Sequence, residues 1–183
     1  MATTSVTTIS KKICLIGDFG VGKTSLIRRF VDRQFSDQYL SSVGVKLSRK
    51  LLEFDPSVES NLQLLIWDIE GSTKFKAIAS SYLQGAAGAI VVGDVTRQDT
   101  LDRLSEHILR FLEINSQSFV VVALNKADRV DDAALIALMQ GLALPDQPRV
   151  LAAYSTSAKT GKDVDTLFQT LAHRIMEPDE LSV

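Results

Sequence analysis

Cysteine is almost absent. Cys14 is the single thiol in 183 residues, so no internal disulfide can form, and a reducing compartment suits the chain. Set in an apolar run, Cys14 reads as a small core side chain. Long apolar runs are missing too. The longest, residues 86–92, falls far short of the roughly 20 residues that cross a bilayer. Residues 1–10 carry Ser and Thr rather than the apolar centre of a signal peptide, and read as a flexible tail. No block of like charge occurs and the formal net charge is −2, which argues against a nucleic-acid partner. The two histidines, His107 and His173, fall far apart on segments of helical pattern, so they suggest surface or satisfied positions rather than a metal cluster. There is no repeat, low-complexity tract or interdomain linker. With 45% hydrophobic and 23% charged residues, the chain suits one domain over residues 11–177, followed by an acidic tail at 178–183.

What is present alternates. Short β-type runs at residues 13–17, 45–54, 62–67, 89–95, 119–124 and 150–154 are separated by longer segments of helical spacing. Leu26, Ile27, Phe30 and Val31 mark one helical stripe. Leu101, Leu104, Ile108, Phe111 and Leu112 mark another, read as a single helix. Leu135, Leu138, Met139 and Leu142 give a shorter one. The last helix carries Val164, Leu167, Phe168, Leu171 and Ile175 behind Asp163, a candidate N-cap. Asp55-Pro56-Ser57 is a turn signal, so the runs on either side of it are expected to pair antiparallel. The rest predicts an α/β fold with a mostly parallel sheet.

Gly17-Asp18-Phe19-Gly20-Val21-Gly22-Lys23-Thr24 fits G-x-x-x-x-G-K-[ST] between a strand and a helix. Glycines let successive backbone N–H groups turn toward phosphate oxygens, and the helix N-terminus adds positive potential. Lys23 brings a mobile cation to the outer phosphates, and the Thr24 hydroxyl suits Mg²⁺. The motif alone does not choose between ATP and GTP. Asn125-Lys126-Ala127-Asp128 closes the run at 119–124, where ligand loops of such sheets emerge. The Asp128 carboxylate can accept from two adjacent donors, guanine N1–H and its 2-amino group. Adenine presents a lone pair at N1 and would leave that carboxylate unsatisfied. Ser157-Ala158-Lys159 follows the last strand as a second loop at the same end.

Taken together, residues 12–176 resemble the Ras superfamily of small GTPases, and its Rab-like branch most. Residues 17–25, ending at Ser25, look like the family phosphate loop. Residues 39–47 are similar to its first switch, and residues 66–71 and 80–86 to the second switch and the segment after it. Residues 125–128 and 157–159 look like its two base-recognition motifs. The resemblance implies a P-loop NTPase fold of six strands, one antiparallel, flanked by about five helices. It implies GTP/GDP and Mg²⁺ as ligands, with Thr24 and Ser42 binding the metal directly and Asp68 through water. Phe35 would pack on the base, Ala158 would offer its N–H to the guanine oxygen, and Gly71 would bond the γ-phosphate. Gly17, Phe19, Gly20, Val21, Gly22, Lys23, Thr24, Ser25, Tyr39, Asn125, Lys126, Asp128, Ser157 and Lys159 complete the implied nucleotide site. The reacting centre would hold Lys23, Ser42, Gly71 and Ser72.

The departures from the family pattern are specific. Phe19 stands where a small residue is usual, Ser72 where a water-positioning glutamine is usual, and Glu70 replaces a small residue in Asp-x-x-Gly. The hairpin turn is longer by a few residues. The last residues carry no cysteine for prenylation, so a cytoplasmic protein without a lipid anchor is expected. The expected function is a slow GTPase switch. Its output is nucleotide-dependent binding of an effector, under an exchange factor and an activating protein. An adaptor holding GTP or GDP with negligible turnover is the alternative.

Overall fold

The computed structural model describes residues 7–36, 44–54, 60–69 and 76–177, the side chains of 76–79 excepted. In chain order they form β1 Thr7–Ile16, α1 Lys23–Asp32, β2 Val45–Leu52, β3 Ser60–Ile69, α2 Lys76–Leu83 and β4 Gly88–Asp94. There follow α3 Gln98–Asp102, α4 Leu104–Ile114, β5 Phe119–Asn125, α5 Asp132–Gly141, β6 Val150–Ser155 and α6 Val164–Met176. One six-stranded sheet runs in the order β2-β3-β1-β4-β5-β6. Only β2 is antiparallel, paired to β3 from Val45↔Ile69 to Leu52↔Leu62, as the turn signal predicts. The turn itself, at 55–59, lies outside the described residues.

Helices on both faces explain the composition of the central strands. β4 and β5 are buried at every position, as strands covered on two sides must be. β1 divides its side chains by the two-residue period of a strand. Ile13 and Leu15 enter a core built with α1 and α6, where the Phe30 and Phe168 rings stack at 4.0 Å. Cys14 and Ile16 enter the opposite core, with Leu104, Ile108 and Phe111 of α4 and Leu135 of α5. Burial pushes the Cys14 thiol up to about 12 even though Lys12 pulls the other way. The native protein should therefore react with a disulfide reagent at pH 8 at no more than about a hundredth of the unfolded rate. Comparable rates in buffer and in denaturant would show that Cys14 is reachable without unfolding.

The structure differs from the sequence expectations in four places. β1 begins at Thr7, inside the segment read as a tail, because its exposed first residues pair with β3 from Thr7↔Ser60 onward. The stripe from Leu101 to Leu112 is two helices rather than one, divided at Arg103. The Thr100 hydroxyl bonds both the amide and the carbonyl of Asp94, so α3 is tied to the end of β4. Leu142 lies just past the end of α5. Asp163 precedes α6 but does not cap it, since its left-handed backbone (φ 52) leaves no side-chain cap bond. Asp131 caps α5 instead, accepting from the Ala134 amide at 2.7 Å.

Candidate functional site

The β1–α1 loop, the β4–α3 loop, the β5 end and the β6–α6 loop meet at the C-terminal ends of the parallel strands. That is where open α/β sheets place ligands. The carbonyls of the first loop can be followed one at a time. Gly17 O and Asp18 O accept from Lys23 Nζ, each at 2.9 Å. Phe19 O accepts from Arg97 Nη2 at 2.7 Å, and Gly20 O from Lys126 Nζ at 2.8 Å. Val21 O accepts from Asn125 Nδ2 at 2.9 Å, and Gly22 O from the Leu26 amide at 3.0 Å. In a trans peptide the C=O and the following N–H point opposite ways. Drawing the carbonyls of residues 19–21 toward β4–α3 and β5 therefore turns the amides of Gly20, Val21 and Gly22 to the other side, into the loop.

Two glycines are required by space as well as by backbone. A Cβ on Gly17 (φ +149) would sit 2.2 Å from the Val92 carbonyl oxygen. One on Gly22 (φ +101) would sit 2.3 Å from Asn125 Nδ2, at the bond that holds Val21. Ser25 lies half-buried in the first turn of α1.

Asn125 ties the loops together. Besides donating to Val21, it accepts from Thr156 Oγ1 at 3.3 Å and from the Ala158 amide at 3.4 Å. Lys126, in a left-handed conformation (φ 65), reaches Asp94 Oδ2 at 2.6 Å as well as Gly20 O. Burial drives the Asp94 carboxyl upward, but the Lys126 ammonium and the Thr96 hydroxyl and amide outweigh it, so it sits below the usual carboxylate range. Asp128 stands on a 3₁₀ turn, Ala127–Arg129, and accepts from Ser157 Oγ at 2.6 Å. The 157–159 loop is held from behind by Arg29, which donates to Ala158 O at 2.7 Å and to Lys159 O at 2.5 Å. Phe35 is half-buried against the core cluster that includes Ala158.

Of the expected metal ligands, Thr24 and Asp68 are brought together: the Thr24 hydroxyl donates to Asp68 Oδ2. Asp68 is 2% exposed, and burial raises its carboxyl above the ordinary range despite Thr24 and the nearby Lys23, Lys46 and Arg28. A hydroxyl beside a buried carboxylate is a hard oxygen pair of the kind Mg²⁺ takes. Tyr39, Ser42, Glu70, Gly71 and Ser72 lie outside the described residues. Sequence reasoning missed Asp94 and Arg97, which act on the loop from the β4–α3 side. Neither falls in a phosphate or base motif, so no local signal marked them.

A family model described as the Ras family matches residues 12–177. The chain is 34% identical over 174 residues to the Ras-related protein Rab-1 of Theileria annulata, covering 91% of this chain and 74% of that one. It is 33% identical over 180 residues to the GTP-binding protein ypt5 of Schizosaccharomyces pombe, covering 97% and 83%. Against the Ras-related protein RIC1 of Oryza sativa subsp. japonica, identity is 35% over 167 residues, covering 90% and 79%. The chain belongs to the Ras family, on its Rab-like branch, and is a GTP-binding switch that hydrolyses GTP slowly.

Proposed function

We propose that residues 17–25 hold the phosphates of GTP or GDP, that Asp128 reads the guanine edge, and that Thr24 and Asp68 serve Mg²⁺. The observation that supports this most directly is the complete pairing of the loop carbonyls from Gly17 to Gly22, which commits the amides of residues 20–22 to the inside of the loop. Amides aimed into a loop at a helix N-terminus favour an anion. The Lys23 ammonium, already at the loop rim, adds charge that follows the outer phosphates. Ser157 holds the Asp128 carboxylate, and Arg29 holds the backbone that carries the Ala158 amide.

Mg²⁺, when bound, neutralises phosphate charge and stabilises the charge that develops in phosphoryl transfer. The chain's own part is to present Thr24 Oγ1 and the Asp68 carboxylate. Ser42 is the proposed further ligand, Gly71 the proposed contact to the outer phosphate, and Ser72 the residue that would face the attacking water. A nucleotide-dependent change in the two switch segments, residues 39–47 and 66–71, would then expose or withdraw the surface recognised by an effector. Exchange and activating proteins would act on the same segments. Among the described residues no helix is long and apolar enough to cross a membrane.

The test begins with the nucleotide released by denaturing purified protein, expected to be GDP or GTP, and with its release rate in Mg²⁺ and in EDTA. Asp68→Asn should abolish the difference between the two rates. It should also stabilise the nucleotide-free protein, because a carboxylate whose burial raises its pKa is held charged at a cost. A release rate in wild type that ignores EDTA would remove Thr24 and Asp68 from the metal site.

A further inference from the structure

The phosphate loop contains an anion of its own. Asp18, its second residue, is 9% exposed, and its carboxylate points away from the loop toward the start of α4. There His107 Nε2 lies 3.0 Å from Oδ1, in position to donate. Arg103 Nη1 lies 3.1 Å from Oδ2. Among the described residues Oδ2 has no hydrogen-bond partner, so Arg103 meets it as a charge rather than through a directed bond. Arg103 is the residue just before α4 and His107 lies one turn on, its amide bonded to the Arg103 carbonyl at 3.1 Å, so the two side chains reach Asp18 from the same end of the helix. At the next loop residue, Arg97 holds the Phe19 carbonyl while its Nε pairs with Asp94 Oδ2 at 3.3 Å. The β4–α3–α4 segment thus grips residues 18 and 19 with three basic side chains, none of which belongs to a phosphate or base motif.

We infer that Asp18, Arg103, His107 and Arg97 are positioning residues that set how long this protein retains its nucleotide. The inference rests on residues 17–25 being the phosphate loop. Two effects act in one direction. A backbone held from outside does not have to be ordered by the nucleotide, so less of the binding free energy goes into arranging it. A carboxylate beside bound phosphates repels them unless it is neutralised, and Arg103 supplies the full positive charge that does so. Arg103 itself is half-exposed and has Asp99 at 3.8 Å as its other acidic neighbour. Its loss would leave Asp18 with His107 alone.

The experiment is dissociation of a fluorescent GDP analogue from the full chain in Mg²⁺, chased with excess GDP. Arg103→Ala should release about tenfold faster than wild type, and Arg103→Lys should recover most of the loss. His107→Ala should release roughly threefold faster, while His107→Gln, which keeps a donor, should not. The discriminating variant is the double Asp18→Ser, Arg103→Ala. With the carboxylate gone there is nothing to neutralise, so release should return to within about threefold of wild type. A double variant as fast as Arg103→Ala would overturn the neutralising role, since a merely structural arginine gives no such rescue. Lys23→Ala separates the two levels of the argument. If it retains nucleotide as wild type does, the assignment of the loop fails and this inference with it. If it loses nucleotide while Arg103→Ala behaves as wild type, the inference alone is overturned.

Discussion

Asp128→Asn is expected to weaken GTP binding by about 2–4 kcal/mol, roughly 30- to 1000-fold, and to shift preference toward xanthine nucleotides. The carboxylate is acceptor-only and matches the two adjacent donors on guanine. An amide at the same place keeps one acceptor but turns a donor toward the 2-amino group, leaving two donors facing each other. Xanthine carries an oxygen at C2, which accepts from that amide. The structure supports a fixed geometry for this exchange. Ser157 Oγ donates to Asp128 at 2.6 Å, and the turn at 127–129 is tied to the next strand by the Ala127 amide on Thr156 O at 3.0 Å. Ser157 thus favours one orientation of the side chain at 128. Competition titrations of wild type and variant with GTP, XTP and ATP give the answer. Wild-type protein that binds ATP as tightly as GTP, or a variant that keeps its preference for GTP, removes Asp128 from base recognition.

How much of this site was legible in the sequence depended on whether a residue's task is fixed by its local neighbours. The loop at 17–24 was legible because glycine spacing and Lys-Thr at a strand–helix junction leave few alternatives. Asp128 was legible because hydrogen-bond complementarity to guanine is a property of the carboxylate itself. β4 and β5 were legible because strands buried on both faces carry unbroken apolar runs. The grip on the loop was not. Asp18 and His107 are 89 positions apart, and no period or motif reports a pair that meets only after the sheet has formed. The division at Arg103 was invisible because the apolar spacing runs on through it without a Gly or Pro to mark a break. Asn125 carried a third kind of gap. Its place in Asn-Lys-x-Asp was plain, but that its side chain bonds Val21, Thr156 and Ala158 at once needed the assembled loops.

GTP hydrolysis by the wild type is expected to be slower than in glutamine-bearing relatives, and the double variant Phe19→Gly, Ser72→Gln to be faster than wild type by about 10- to 100-fold. The step needs an oriented water and compensation of charge at the transferring phosphate. Serine at 72 can bond a water, but its one-carbon arm reaches less far than the two-carbon amide arm of glutamine. Phe19 adds a bulky ring to a loop whose family counterpart is small there. The ring is 47% exposed, and Arg97 holds the loop here through the Phe19 carbonyl, a bond that Phe19→Gly leaves in place. Arg97 also bears on assistance from outside: its Nη2 lies 3.8 Å from where a Cβ on Gly20 would be. The outer side of the loop thus already holds a cation, and an incoming arginine would meet both it and the ring. Single-turnover rates for wild type, each single variant and the double variant, measured with Mg²⁺, decide the matter. Each single change should gain about threefold or less, since a better-placed glutamine still faces the ring and an open loop still lacks the glutamine. A double variant no faster than wild type, or a wild type already as fast as its glutamine-bearing relatives, would mean that neither Phe19 nor Ser72 limits the reaction.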